Sequence, residues 1–85
     1  MEAWRWILLA LEPEPSHGYA IIKRVEELSS GTCRLATGSF YPLLEKLLRD
    51  RLVERTDRVD EDAPYRAYYQ LTEKARLRFF GVMTQ

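Results

Sequence analysis

The sequence predicts a mainly α-helical domain with one small β-hairpin, and three observations support this fold class. Apolar residues recur at the spacing of amphipathic helices in four segments. Residues 53–59 alternate in a strand-like way, and residues 65–71 are rich in aromatic strand formers. The length of 85 residues, with 46% hydrophobic and 31% charged residues, suits one small globular domain.

The first helix is predicted over residues 3–11 and is apolar nearly all round. Such a helix is either deeply buried or shared with a partner subunit, and the small size of the domain favours the partner. Its end is set by Pro13 and Pro15, because proline denies the helical conformation to the residue before it.

The second helix is predicted over residues 17–30, with Ser16 as its N-cap and Gly31 at its C-terminal end. A short extended strand over residues 32–36 leads to the third helix, for which Thr37 and Ser39 are candidate N-caps. The third helix carries a clean apolar stripe of Phe40, Leu43, Leu44, Leu47 and Leu48. Pro42 is compatible with this helix because it lies in or near the first turn.

A hairpin and a last helix complete the predicted fold. Residues 53–59 and 65–71 form its strands, and the acidic segment 60–64 forms its turn. Thr72 caps a final helix that runs from residue 73 to about residue 83. The resulting order is that of a winged helix-turn-helix with one terminal helix added. We expect residues 1–71 to form the winged-helix DNA-binding part and residues 72–85 a short C-terminal dimerisation helix of the same domain.

Composition excludes several classes of function. Thirteen Lys and Arg residues balance thirteen Asp and Glu residues, which excludes a histone-like polycation but not DNA binding by a local basic surface. A single cysteine, Cys33, and a single histidine, His17, exclude an internal disulfide and an ordinary zinc finger, so no metal and no cofactor are expected. No nucleophile and base surround His17, and we therefore do not expect an enzyme. We expect a cytoplasmic protein without a membrane partner, since the apolar run of residues 6–11 is too short to span a bilayer.

The third helix is the candidate for function. Its apolar stripe leaves an exposed face that a DNA major groove would accommodate, and its start would approach base edges and phosphates. Charged residues outside an apolar stripe are also expected on any solvated helix, and this plain alternative stays open. The predicted hairpin follows where a wing should be, which favours DNA binding.

Three stretches resemble the PadR-like family of transcriptional regulators. They are Pro15-Ser16-His17-Gly18-Tyr19-Ala20-Ile21, Thr37-Gly38-Ser39-Phe40-Tyr41-Pro42-Leu43-Leu44 and Arg66-Ala67-Tyr68-Tyr69-Gln70-Leu71-Thr72-Glu73. They occur in the family's order, and the likeness covers almost the whole chain. The resemblance implies a homodimeric repressor that binds a pseudo-palindromic operator in double-stranded DNA and is often released by a small aromatic or drug-like effector.

The resemblance and the spacing together name the candidate residues. By resemblance the DNA-binding positions are Tyr19, Gly38, Ser39, Tyr41 and Pro42. Lys46 and Arg49 lie further along the exposed helix face by spacing, and strand alternation places Arg66 and Tyr68 on one face of the wing. The expected dimer interface comprises Trp4, Trp6, Leu8, Phe79, Phe80 and Met83. Tyr19 and Tyr41 could instead be half-buried structural residues, and Lys46 could instead pair with Glu45 or Asp50.

The sequence departs from the family pattern in the wing and in the turn before it. Asp60, Glu61 and Asp62 would repel phosphate at the wing tip, and Ala67 stands where another basic residue is common. Arg51 occupies a turn position where glycine is usual, and a left-handed conformation there would cost about 1 kcal/mol. An acidic tip would also suit a winged helix that binds another protein and no DNA, which is the alternative function.

Overall fold

The computed structural model describes residues 1–81 and confirms the predicted mainly α-helical fold with a small antiparallel sheet. The elements in chain order are α1 (Ala3–Leu11), β1 (Ser16–His17), α2 (Gly18–Leu28), α3 (Thr37–Arg49), β2 (Val53–Arg55), β3 (Tyr68–Leu71) and α4 (Glu73–Ala75), which continues as a π-helical segment (Arg76–Phe80).

The sheet has three strands in the order β1, β3, β2, and both pairs are antiparallel. Ser16 pairs with Tyr69 on one side of β3, and Val53 pairs with Leu71 on the other. The predicted strand over residues 32–36 is wrong, and the third strand comes instead from the residues after Pro15. Ser16 and His17 lie alongside β3, where they pair with Tyr69 and Tyr68.

The predicted hairpin is present, but its strands are shorter than expected. The last backbone bond between them runs from the Thr56 N–H to the Tyr68 carbonyl, at 2.8 Å. Beyond it, one turn closes where the Ala63 N–H donates to the Asp60 carbonyl at 3.2 Å. A second turn closes where the Arg66 N–H donates to the Ala63 carbonyl at 3.0 Å. We call residues 56–67 the wing loop.

The core lies where α1, α2 and α3 pack together and against one face of the sheet. Leu8 is 2% exposed and belongs to this core, so the prediction that it faces a partner subunit is wrong. α1 packs on α2, α3 and β3, so these neighbours within the domain cover several sides of the helix. The largest fully buried side chains are Phe40, Ile7, Leu8, Leu11, Ile21, Leu44, Val25 and Val53.

Two predicted helix caps differ in the structure. His17 is the N-cap of α2, and its Nδ1 accepts from the Ala20 N–H at 3.3 Å. Ser16 is buried in β1 instead, and its hydroxyl donates to the Glu14 carbonyl. Ala36 is the N-cap of α3, and its methyl side chain cannot accept a hydrogen bond. The two predicted caps, Thr37 and Ser39, lie inside the first turn of the helix instead.

The turn after α3 confirms that Arg51 adopts the left-handed conformation, with φ of 58°. Two side chains from the last helical region hold this turn. The Thr72 hydroxyl donates to the Arg51 carbonyl at 2.7 Å, and the Lys74 Nζ donates to the Asp50 carbonyl at 3.0 Å. The C-terminal end of α3 is therefore bonded directly to the start of α4.

The last helix begins as predicted at the Thr72 N-cap, whose Oγ1 accepts from the Ala75 N–H at 3.1 Å. It changes to π-helical geometry at Arg76 and stops at Gly81, which has a φ of 59°. This last helical segment therefore ends at Phe80, because a left-handed glycine terminates helices. Met83, predicted for the dimer interface, lies outside the described residues.

Candidate nucleic-acid interface

The exposed face of α3 carries every residue that was predicted there. Its members are Gly38, Ser39, Tyr41, Pro42, Lys46 and Arg49. Lys46 forms an ion pair with Asp50 one turn later, at 3.1 Å, as one of the sequence alternatives allowed. Arg49 has no hydrogen bond or ion pair within residues 1–81, so its guanidinium is free to bind an anion.

The start of α3 is held against the start of α2 by contact between Tyr41 and Gly18. A methyl group added at Gly18 would lie 2.5 Å from the Tyr41 hydroxyl oxygen and 3.3 Å from Phe40 Cε2. The Phe40 and Tyr41 rings also meet edge to face, with centroids 4.9 Å apart. Gly18 is therefore required for close approach, whereas a methyl group at Gly38 would have nothing within 4 Å.

The wing departs from the predicted face. Tyr68 is 5% exposed, so the expectation that it lies with Arg66 on an exposed wing face is wrong. The wing loop folds over the Tyr68 ring, with the Arg58 guanidinium carbon 3.9 Å from the ring centroid. The His17 ring, from β1, contacts the same ring edge to face, with centroids 5.4 Å apart. Arg66 itself is exposed, as predicted.

Asp60 holds this arrangement together. Its carboxylate accepts a short hydrogen bond from the Tyr68 hydroxyl and a second from Arg58 Nε at 3.2 Å. The Tyr68 hydrogen bond lowers the pKa of Asp60 most, and the Arg58 guanidinium and the charge of Arg66 lower it further. The acidic tip predicted to repel DNA thus contains one carboxylate that binds the protein itself. Glu61 and Asp62 are exposed.

A groove of about 470 Å³ lies between the start of α2, the start of α3 and the wing. Its walls include the predicted residues Tyr19, Tyr41 and Arg66, with His17 and Tyr65 beside them. Tyr19 is 71% exposed and Tyr65 82% exposed, so their hydroxyl groups are available to a ligand. Sequence reasoning missed Tyr65, although its position next to Pro64 at the end of an acidic turn was a signal for an outward side chain.

His17 is neutral at neutral pH, which agrees with its hydrogen bond and with the nearby arginine. Burial lowers the pKa of His17, and the charge of Arg66 lowers the pKa further. Its Nδ1 is an acceptor in the N-cap bond and therefore carries no proton. At neutral pH the positive charge of the groove thus comes from Arg66 and not from His17.

A second surface, formed by α1 and the π-helical segment, holds three of the predicted dimer residues. Trp4, Phe79 and Phe80 are half-buried there, and the Trp4 and Phe79 rings meet edge to face at 5.4 Å. Trp6 is also half-buried, but it points to a different side of α1 from Trp4, because residues two apart in a helix point about 200° apart. Leu77 is 50% exposed and was not predicted. A wide depression of about 850 Å³ next to this surface is lined by Trp4, Phe79 and several basic side chains of α3 and α4.

The described part of the chain, residues 1–81, has neither a membrane-spanning helix nor a metal-binding cluster. None of its helices is long and apolar enough to cross a lipid bilayer. Among residues 1–81 no group of three or more histidine, cysteine or acidic side chains could hold a metal ion.

A recognition helix whose exposed start shares one tyrosine-lined groove with a wing is the arrangement of a winged-helix transcriptional regulator. The sequence profile of the transcriptional regulator PadR-like family matches residues 7–79. The chain therefore belongs to the PadR-like family, whose members are transcriptional regulators and not enzymes.

Solved structures agree with this assignment. RosR from H. salinarum is 26% identical and superposes with a TM-score of 0.77 over 95% of this chain and 68% of its own. A PadR-like transcription factor from Bacteroides fragilis is 31% identical, with a TM-score of 0.69 over 87% of this chain and 68% of its own. The circadian clock associated protein Pex from Anabaena is 25% identical, with a TM-score of 0.69 over 88% and 72%. No curated protein matches the sequence significantly.

Proposed function

We propose that this PadR-like regulator is a cytoplasmic repressor that binds a pseudo-palindromic operator as a homodimer. The observation that carries the proposal is the groove in which the starts of α2 and α3 face Arg66 of the wing. A DNA strand lying along this groove would contact all three elements at once. The hydroxyl groups of Tyr19, Ser39 and Tyr41 would donate hydrogen bonds to phosphate oxygens. Such contacts orient the protein on the duplex but do not recognise the base sequence.

The rest of α3 supplies the contacts that can discriminate bases. Arg49 is free of protein partners in the described chain, and Lys46 must exchange its Asp50 carboxylate for DNA. Gly38 adds no side chain at the helix start, so the backbone there can approach a phosphate closely. Because the chain is neutral overall, non-specific binding should be weak, and each phosphate contact adds about −0.9 to the log–log salt slope.

The proposed dimer uses the surface of α1 and the π-helical segment. The exposed Leu77 and the half-buried Phe79 and Phe80 support it, because apolar side chains on a small domain gain stability when a second copy covers them. Two recognition helices would then enter successive major grooves about 34–36 Å apart. The small aromatic effector proposed for the protein would bind beside Trp4 and Phe79, where aromatic rings border the wide depression.

Sedimentation equilibrium with and without a duplex of its own promoter tests DNA binding and dimerisation together. We expect a dimer that binds one duplex, with an affinity that falls steeply as salt rises. Arg49→Ala should weaken binding, whereas Arg34→Ala, between α2 and α3 and outside both the groove and the proposed dimer surface, should leave the DNA affinity unchanged. Absent or salt-insensitive binding at low salt would contradict the proposal, and a stable complex with another protein instead would favour the alternative function.

The effector proposal has its own measurement. Both tryptophans, Trp4 and Trp6, lie on α1, and Trp4 borders the depression, so their fluorescence reports on a ligand bound there. A bound aromatic ligand should change their fluorescence and release the duplex. Fluorescence that does not respond to any aromatic ligand would contradict the effector while leaving DNA binding intact.

A further inference from the structure

The wing loop lacks the backbone ladder that would normally fix its position. Its last bond to β3 is at Thr56, and the next backbone bonds close only the local turns at residues 60–63 and 63–66. The Arg58 N–H donates to Thr56 Oγ1, which is local as well. A loop of this kind needs side-chain contacts to take one position on the domain.

Asp60 supplies the strongest of these contacts. Its carboxylate accepts from the hydroxyl of Tyr68, a buried residue of the central strand β3. The same carboxylate accepts from Arg58, and the Arg58 guanidinium covers the Tyr68 ring at 3.9 Å. Hydrogen bonds to an ionised acceptor are stronger than neutral ones, so this cluster anchors the loop to the central strand of the sheet. The lowered pKa of Asp60 agrees with this role.

The anchor point determines where the DNA-facing residues of the wing stand. Asp60 begins the turn that ends at the buried Ala63, and Ala63 begins the turn that ends at Arg66. The positions of Tyr65 and Arg66 therefore depend on that of Asp60, through two consecutive turns. Both line the groove opposite Tyr41.

Electrostatic repulsion alone predicts that an acidic residue in the wing weakens DNA binding. A carboxylate near DNA repels phosphate, so its removal should tighten binding. That expectation fits Glu61 and Asp62, which are exposed and make no hydrogen bond or ion pair within residues 1–81. It does not fit Asp60, whose two partners are protein groups.

We infer that Asp60 is a positioning residue for DNA binding, because it fastens the wing loop to Tyr68 and thereby holds Arg66 and Tyr65 at the groove. The inference rests on the proposed function. Removing the negative charge of Asp60 therefore weakens DNA binding, although it makes the surface more basic.

The test compares four single variants by fluorescence anisotropy, using a fluorescein-labelled duplex of the protein's own promoter at several salt concentrations. Asp60→Asn removes the charge with little change of shape, and Tyr68→Phe removes the partner hydroxyl with no change of charge. Glu61→Gln and Asp62→Asn are matched controls that remove one exposed acid from the same loop. Circular dichroism establishes that each variant is folded.

We expect Asp60→Asn and Tyr68→Phe to raise Kd roughly three- to tenfold and to reduce the salt slope by about 0.9 for each phosphate that the variant no longer binds. The two controls should bind as tightly as the wild type or more tightly. Equal or tighter binding by Asp60→Asn, or an unchanged salt slope, would overturn the inference while the wild type still supports the proposed function. A wild type that binds no duplex at low salt would overturn both.

Discussion

The Tyr41 hydroxyl occupies the space that a side chain at Gly18 would need, only 2.5 Å from the position of an added methyl group. This contact joins the first residue of α2 to the exposed start of α3. The glycine of the His-Gly-Tyr segment is thus explained by packing against a neighbouring helix and not by an unusual backbone conformation. Gly31 and Gly81, by contrast, are glycines with a positive φ.

Gly18→Ala should displace Tyr41 and leave the fold intact. Overpacking of this kind typically lowers the free energy of unfolding by about 1–3 kcal/mol, and we expect the lower end because the Tyr41 ring can rotate toward solvent. Urea denaturation measures the loss. Gly38→Ala is the matched control, since a methyl group there has open space.

A double-mutant cycle assigns that loss to the tyrosine. In a Tyr41→Ala background the clash with the hydroxyl is absent, so Gly18→Ala should cost clearly less than in the wild type. Equal costs in both backgrounds would show that the hydroxyl is not the group that excludes a side chain at position 18.

Arg51→Gly should stabilise the protein. Arg51 has a φ of 58°, a conformation that costs an ordinary residue about 1 kcal/mol and glycine almost nothing. We expect the free energy of unfolding to rise by about 0.5–1 kcal/mol in urea titrations. Glu45→Gly, at an exposed position in the interior of α3, should lower it by about 1 kcal/mol. If both substitutions destabilise, the left-handed turn is not the source of strain.

Thr72→Ala should destabilise the protein more than the loss of an ordinary N-cap. The Thr72 hydroxyl accepts from the Ala75 N–H and donates to the Arg51 carbonyl at the same time. Loss of an N-cap costs about 1 kcal/mol, and the second hydrogen bond adds about another 1 kcal/mol. Thr72→Ser retains both bonds and is the control. Similar thermal midpoints for the alanine and serine variants would contradict the double role.

Stability should fall as the solution is acidified, first through His17 and then through Asp60. The folded pKa of His17 lies below 6.5 because of burial and the charges of Arg66 and Arg58, against an opposing contribution from Asp60. The unfolded chain therefore binds more protons, and stability present above pH 6.5 is lost as pH falls through the folded pKa. The folded pKa of Asp60 also lies below its ordinary 3.8, so its contribution is lost in the same direction at lower pH.

Urea midpoints measured at several pH values distinguish the two groups. His17→Asn keeps an N-cap acceptor but does not titrate, so it should remove the decline that begins below pH 6.5. Asp60→Asn should remove only the decline at more acidic pH. A variant His17→Asn with the wild-type pH profile would contradict the assignment to His17.

The sequence allowed the helices, the hairpin and the exposed face of α3 to be predicted, because apolar spacing and strand formers are local signals. Leu8 was misplaced since a helix that is apolar on all sides does not show which side meets a partner. Tyr68 was misplaced since strand alternation does not show that a loop will fold over one face. Ser16 was expected to cap a helix and instead lies in β1, because pairing with Tyr69 is a contact between residues far apart in sequence.

The hydrogen bonds from Thr72 and Lys74 to the turn after α3 fix the orientation of α3 relative to the last helix. Each α3 of the proposed dimer would then keep a constant orientation relative to the surface that joins it to the other. The distance between operator half-sites would be set by the rigid geometry of the assembled pair, and a lengthened or shortened spacer would be rejected instead of being accommodated. Selection among DNA sites would thus operate on the separation of the half-sites as well as on their bases.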